Sequence, residues 1–465
     1  MATVSHPAAV SVDRVRLAAL IERERARYRA SHRRSKDLFD AADHLFGRVP
    51  MTWMAKWAGG FPAYLEQAYG NRVLDVDGNT YLDFALGDTG AMAGHSPGPT
   101  VEAVHDRLAV EGGVTTMLPT EDAEWVGAEL SRRFGLPLWS FTLTATDANR
   151  WAIRLARLAT GRPKIAVFAH CYHGSVDETF AVPGPDGRAV SRPGNVGAPI
   201  DPELTTRVVE FNDPVALESA LAHGDVAAVV MEPALTNIGI VLPEPGFLDR
   251  VRALCTHYGS LLLIDETHTF SAGPGGATAA WGLRPDLLVI GKSIGGGVPV
   301  AAYGLTAEVA DLVRRHPEAD LVDVGGVGGT LAGNVLSITA ARATLEHVLT
   351  DQAFAHMIGL ATAFTEGVRS VIESRGLPWT VQQLGARTEY RFADPAPRSG
   401  SESAAAADPE LDEYLHLFLA NRGVLITPFH NMALICPDTS ADDVATHTRL
   451  FGQAVDDLLA AGPVG

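Results

Sequence analysis

The sequence predicts an α/β fold: a large domain on a mostly parallel sheet flanked by helices, followed by a smaller α+β C-terminal domain. Three observations point there. From about residue 100 onward, short apolar runs at 141–143, 165–168, 226–231, 261–264 and 287–290 alternate with helical patterns. Strand–helix alternation of that kind builds an open, largely parallel sheet covered on both faces. At 465 residues the chain is too long for one small core. Its apolar content of 46% and charged content of 20% are ordinary for a globular chain.

Taken in order, residues 11–36 place Val12, Val15, Leu17, Leu20 and Ile21 on a helical period beside Glu22-Arg23-Glu24-Arg25. An amphipathic helix with an ion-paired, solvated face is expected, and a basic binding helix through Arg33, Arg34 and Lys36 is the alternative. Two alternating runs at 72–84 flank Asp77-Gly78-Asn79, a hairpin signature. The Pro-, Ser- and Ala-rich stretch 392–410 is expected to be a mobile loop inside the small domain. The predicted division is an N-terminal helical and hairpin segment over 1–80, the large domain over 81–340 and the small domain over 341–465.

Charge and composition narrow the partners. The net charge of −18 disfavours nucleic acid and anionic membrane, both of which need basic patches. Cys171, Cys255 and Cys436 are too sparse for a disulfide framework and suit a reducing compartment. The first ten residues show no signal-peptide pattern, and no apolar run reaches about 18 residues. A soluble cytoplasmic protein is expected.

Four places carry candidate chemistry. The apolar run 261–264 ends in Asp265, and ligands bind at that edge of an open α/β sheet. A buried carboxylate there calls for a cation or a protonated nitrogen, with a helix N-cap as the plainer alternative. Twenty-seven residues later the run 287–290 delivers Lys292 to a glycine-rich turn (Gly295-Gly296-Gly297), where desolvation prepares a lysine for covalent chemistry. An exposed lysine is the plainer reading. At Thr144-Ala145-Thr146-Asp147, small and hydroxyl residues open a helix whose amides suit an anion or are simply N-capped. A second anion candidate is the loop Gly325-Gly326-Val327-Gly328-Gly329-Thr330.

In this order the motifs resemble a class III (fold type I) aminotransferase dependent on pyridoxal 5′-phosphate, most like the glutamate-1-semialdehyde aminomutase branch. The resemblance runs from about Tyr64 to the end. It is dense over 146–174, over 231–265 (MEP…NIGIVLPEPGFLDRVRAL…GSLLLIDE) and over 290–304 (IGKSIGGGVPVAAYG), and is completed by Gly329-Thr330-Leu331-Ala332-Gly333-Asn334. It implies that 81–340 binds pyridoxal phosphate. Lys292 would be the Schiff-base lysine and Asp265 the partner of the pyridine nitrogen. Tyr172 would stack on the ring, with His173 and Gly174 completing that motif, and Asn237 would lie near the phenolic oxygen. Ala145 and Thr146 would hold the phosphate. Thr330 would reach the phosphate of a neighbouring subunit's cofactor, which implies a homodimer with shared active sites. Thr267 replaces the usual valine behind the ring, adding a hydroxyl.

The chain departs from the pattern in three places. The phosphate loop reads Ala145-Thr146-Asp147-Ala148 where Gly-Thr-Glu-Ala is usual, but Ala145 still offers its N–H. Trp53 falls where the aminomutase has its substrate-carboxylate arginine, and an indole makes no bidentate pair with a carboxylate. Trp53 and Trp57 would instead line an apolar pocket or pack in the core. Asn431 falls near the acidic residue that engages the substrate amine. Arg387 is the candidate for a substrate carboxylate, with a surface arginine as the alternative, and Glu232 is expected to orient its neighbours.

Two motifs are set aside. Gly94-His95-Ser96-Pro97-Gly98 matches a nucleophile elbow, but Pro97 has no N–H for an oxyanion hole. His170-Cys171-Tyr172-His173 lacks zinc-ligand spacing, so no metal is expected. The expected activity is a ping-pong transaminase exchanging an amino group between an amine or amino acid and a keto acid or aldehyde. The alternatives are a glutamate-1-semialdehyde-type aminomutase, an amino-acid racemase or epimerase, and a non-catalytic protein that binds the cofactor.

Overall fold

A computed structural model describes residues 12–319, 329–462 and 464. The chain forms two compact units. One comprises residues 89–356 with 397–405; the other comprises residues up to 88, 357–396 and 406 to the end.

The larger unit is built on a seven-stranded sheet. Its spatial order is Leu138–Thr142, Ala301–Leu305, Leu287–Ile290, Leu261–Asp265, Val226–Met231, Lys164–Phe168, Thr206–Val209. Ala301–Leu305 runs antiparallel to both its neighbours, and the other pairings are parallel. The predicted α/β class is therefore present, with one reversed strand. Every residue of Val226–Met231 is buried, as a continuous apolar run covered on both faces requires. Helix Ala145–Thr160 buries Ala148, Trp151, Ala152, Ile153, Leu155 and Ala156, and joins Phe168, Phe211 and Phe247 in one core.

In the smaller unit the hairpin forms as expected: Arg72–Asp75 pairs antiparallel with Thr80–Asp83. Asp75 Oδ1 accepts the amides of Asp77 and Asn79 at 2.9 and 2.8 Å, closing the turn through Gly78. The helical pattern of 11–36 becomes helix Arg14–Ser31, capped by Asp13, and a separate helix Arg33–Asp40 after a break at His32.

The units cut the chain differently from the 1–80, 81–340 and 341–465 division. Val424–Leu425 adds a parallel strand to Thr80–Asp83, so the N-terminal hairpin and the C-terminal stretch share one sheet. Residues 397–405 depart from the expected mobile loop of the small domain, because they belong to the larger unit. Asn212 Nδ2 donates to the Arg398 carbonyl (2.8 Å), Ser403 Oγ donates to the Ile238 carbonyl (2.5 Å), and Arg398 pairs with Glu244. These bonds pin the segment, which includes the short helix Gly400–Ala405. Among the described residues no helix is long and apolar enough to cross a membrane.

Candidate active site

Strand register brings the two key side chains to one edge. Leu261–Asp265 and Leu287–Ile290 are parallel neighbours with Asp265 opposite Val289. Asp265 closes its strand, and Lys292 opens a 3₁₀ turn two residues beyond its own. Lys292 has a φ of 52°. A side chain held in the left-handed region persists only where its surroundings fix it, and such residues gather at working sites.

Asp265 is buried and accepts four hydrogen bonds. His173 Nδ1 (2.9 Å) and Asn149 Nδ2 (2.8 Å) donate to Oδ2; the Thr267 amide (3.0 Å) and hydroxyl (2.5 Å) donate to Oδ1. Burial pushes the carboxyl upward, but His173 first, then Thr267 and Asn149, outweigh it and hold the group below the usual carboxylate range. Burial opposes a charge on His173, while Cys171 and Asp265 beside it favour the imidazolium and hold it well above its ordinary value. An anionic carboxylate thus persists in a dry site. The hydroxyl expected of Thr267 is present and is directed to Asp265.

The helix mouth lies beside the lysine turn. Thr144 caps helix Ala145–Thr160 by accepting the Asp147 amide, and the amides of Ala145 and Thr146 stand at the positive end of the helix. A Cβ on Gly291 would come within 3.1 Å of the Ala145 Cβ, so the residue before Lys292 packs on this loop. Gly174 has a φ of 74°, and a Cβ there would fall 2.0 Å from Thr146 Oγ1. Thr146 Oγ1 in turn accepts the Ser175 amide at 3.2 Å, so the segment after His173 is tied to the helix mouth.

Residues 53–447 match the class-III aminotransferase family. The chain is 37% identical to a glutamate-1-semialdehyde 2,1-aminomutase of Sorangium cellulosum over 403 residues, 85% of this chain and 89% of that one. The chain belongs to the class III aminotransferases. A solved glutamate-1-semialdehyde-aminomutase from Pseudomonas aeruginosa PAO1 superposes with a TM-score of 0.94 at 47% identity, covering 97% of this chain and all of that one. An omega-transaminase from Sphaerobacter thermophilus follows with 0.82 at 30% identity, covering 92% and 98%.

As a class III aminotransferase of fold type I, the protein is an enzyme and its cofactor is pyridoxal 5′-phosphate. The residues present fit that group. A primary amine, a dry anionic carboxylate and a helix N-terminus kept clear by Gly174 lie in one unit, matching an aldehyde, a ring nitrogen and a phosphate.

The remaining predicted cofactor residues lie in the same unit. Tyr172 and Asn237 are half-buried, and Thr330 is exposed in the segment that precedes helix Val335–His347. Gly325 to Gly328 of the second glycine loop lie outside the described residues. Trp53, Arg387 and Asn431 belong to the smaller unit. Trp53 meets Phe429 with ring centroids 5.6 Å apart. Asn431 donates to Asp412 Oδ1 (2.7 Å), and its Oδ1 meets His416 Nε2 at 3.1 Å. Arg387 is fully buried in the strand Arg387–Arg391, which rules out the surface alternative.

Sequence reading missed Asn149, Thr236, Glu266 and His268. Buried Glu266 accepts the Thr269 hydroxyl (2.5 Å) and the amides of Ala277 (3.1 Å) and Thr278 (2.5 Å), ordering the chain after Asp265. Burial is the main cause of its raised pKa. The available signal was the polar run Asp265-Glu266-Thr267-His268-Thr269 directly after four apolar residues.

Proposed function

We propose that this enzyme is an aminomutase of the glutamate-1-semialdehyde type, shifting an amino group between adjacent carbons of one amino aldehyde. The sequence reading put intermolecular transamination first and the aminomutase second; the comparisons favour the reverse order. The observation that carries the reading is likeness along almost the whole chain, 47% identity and a TM-score of 0.94, to a protein described as that aminomutase.

Bound pyridoxal phosphate supplies the electron sink for a carbon that loses its proton. Lys292 Nζ would hold the cofactor at rest and, once displaced by the substrate amine, would take the proton from the carbon that bears the amino group and deliver one to the carbon that receives it. Asp265 remains anionic through His173, Asn149 and Thr267, and so holds a proton on the ring nitrogen. The Ala145 and Thr146 amides bind the phosphate, Tyr172 covers the ring face and Asn237 orients the phenolic oxygen. Thr330 serves the cofactor of a second copy. A homodimer is supported by the exposed apolar side chains of Val101, Leu108, Val110, Met117 and Leu118.

Intermolecular transamination is the second reading. It is favoured by the Trp53–Phe429 aromatic pair and by Asn431 being engaged with Asp412 and His416. Trp53 would then line an apolar substrate pocket, and Arg387 would take the carboxylate only after leaving its buried position. The test is glutamate 1-semialdehyde given to the loaded enzyme with no keto acid present. Many turnovers to 5-amino-4-oxopentanoate are expected. A single half-reaction that bleaches the cofactor band and resumes only when a keto acid is added would replace the aminomutase with the transaminase.

A further inference from the structure

A line of buried polar side chains leads away from Lys292 through His268 and Thr236 to Glu232, none of which the chemistry proposed above uses. Lys292 Nζ lies 2.5 Å from His268 Nε2, His268 Nδ1 lies 2.6 Å from Thr236 Oγ1, and Thr236 Oγ1 donates to Glu232 Oε2. His268, Thr236 and Glu232 are all buried. They come from two separate connections: Glu232 and Thr236 follow the strand Val226–Met231, and His268 follows Leu261–Asp265. The sheet sets those strands side by side, with Ile264 opposite Met231.

The donors and acceptors have one consistent direction. Thr236 has a single hydroxyl proton, and it goes to the carboxylate. Its oxygen must then accept from His268 Nδ1–H, which leaves Nε2 with a lone pair facing the lysine. We propose that His268 is a catalytic residue that takes a proton from the Lys292 ammonium, with Thr236 and Glu232 as positioning residues that carry the charge away. The proposal rests on Lys292 being the lysine that holds the cofactor.

The proton balance is complete within these four groups. An N–H bond of Lys292 breaks as His268 Nε2 gains a proton; Nδ1 releases its proton to Thr236 Oγ1, and the Thr236 proton passes to Glu232. The ammonium and carboxylate become an amine and a carboxylic acid, with no change of oxidation state. Burial, partly offset by His173 and by the Thr236 bond and reinforced by Asp265, raises the Glu232 carboxyl to about 7. Among the described residues, the groups facing this line include Asp265 and His173 on the sheet edge, the Tyr172 amide on Glu232 Oε1 (3.4 Å), and Lys292 itself. Below neutrality Glu232 already holds its proton and the line is closed; above it the line accepts.

The test follows cofactor loading, which needs a neutral lysine and no substrate. Full-length apoenzyme is mixed with pyridoxal 5′-phosphate from about pH 6 to about pH 9, and growth of the lysine-bound band is timed. The wild-type rate should climb through neutrality. His268→Gln and Thr236→Val should load about tenfold more slowly near pH 7 and recover only at higher pH. Thr236→Ser keeps the hydroxyl and should restore the wild-type profile, and this pair carries the test if His268→Gln does not fold. Superimposable profiles for wild type, His268→Gln and Thr236→Val would overturn the relay. No lysine-bound band in wild type, matching Lys292→Ala, would overturn the assignment of Lys292 itself and the relay with it.

Discussion

His173 Nδ1 and Asp265 Oδ2 lie 2.9 Å apart, and both residues are buried. Each stabilises the charge of the other, so the pair brings an anion to the sheet edge that neither residue could hold alone. Asp265→Asn keeps the shape, removes the charge and leaves a buried imidazole without its anion. Breaking a buried pair from one side costs about 3–5 kcal/mol. A loss of that order in chemical denaturation of the apoenzyme is expected, together with a turnover lower by about 10²–10³-fold. Unchanged values for both would remove the pair from the site.

Gly174→Ala tests the helix mouth. The new methyl carbon would stand 2.0 Å from Thr146 Oγ1 and 2.8 Å from the Thr146 Cα, on a backbone whose φ of 74° already disfavours a side chain. Thr146 and the first turn of the helix must shift, at a cost of about 1–3 kcal/mol. Because that turn is the proposed phosphate site, the cofactor dissociation constant should rise by about tenfold or more. Equilibrium dialysis against pyridoxal phosphate measures it, and an unaltered constant would move the phosphate elsewhere.

These two sites differ in how far the sequence exposes them. Asp265, Lys292 and the 144–147 turn each follow an apolar strand, so their place on the sheet edge is readable from periodicity. The link between His173 and Asp265 spans 92 residues and depends on strand order, which periodicity leaves open. The line through Thr236 and His268 is further from view, because nothing local marks two polar residues 32 apart as partners. Arg387 sits in an alternating run that suggests one exposed face, yet all five residues of its strand are buried. The 397–405 segment has a loop's composition, but side-chain bonds to Asn212, Glu244 and the Ile238 carbonyl fix it.

Thr267→Val removes one donor from Asp265 Oδ1 and leaves the backbone amide at 3.0 Å. The side chain keeps nearly its size, so packing changes little. A hydrogen bond to a charged group contributes about 1.5–3 kcal/mol, and a stability loss near the lower end is expected. The Asp265 carboxyl should rise toward its ordinary value, since one of the bonds holding it down is gone. With cofactor bound, a stronger base would face the ring nitrogen and the absorbance maximum should move. An identical spectrum would show that the hydroxyl has no electronic influence.

His447 gives the smaller unit a specific acid sensitivity. It is fully buried, stacked on Phe364 with centroids 4.1 Å apart, and neither ring nitrogen has a hydrogen-bond partner. Burial lowers its pKa from 6.5 to about 3. In the unfolded chain this imidazole takes up a proton as the pH falls below 6.5, whereas the folded unit refuses one until about pH 3. The contribution of His447 is therefore fully present above 6.5 and falls by about 1.4 kcal/mol per pH unit across that window, levelling off below its folded pKa. His447→Phe preserves the stack and has nothing to protonate. Urea unfolding at about pH 7 and about pH 4.5 should show a smaller loss for the variant than for the wild type, by roughly 2.5 kcal/mol. Equal losses would mean that acid sensitivity arises at other groups, such as the buried carboxylates and His416.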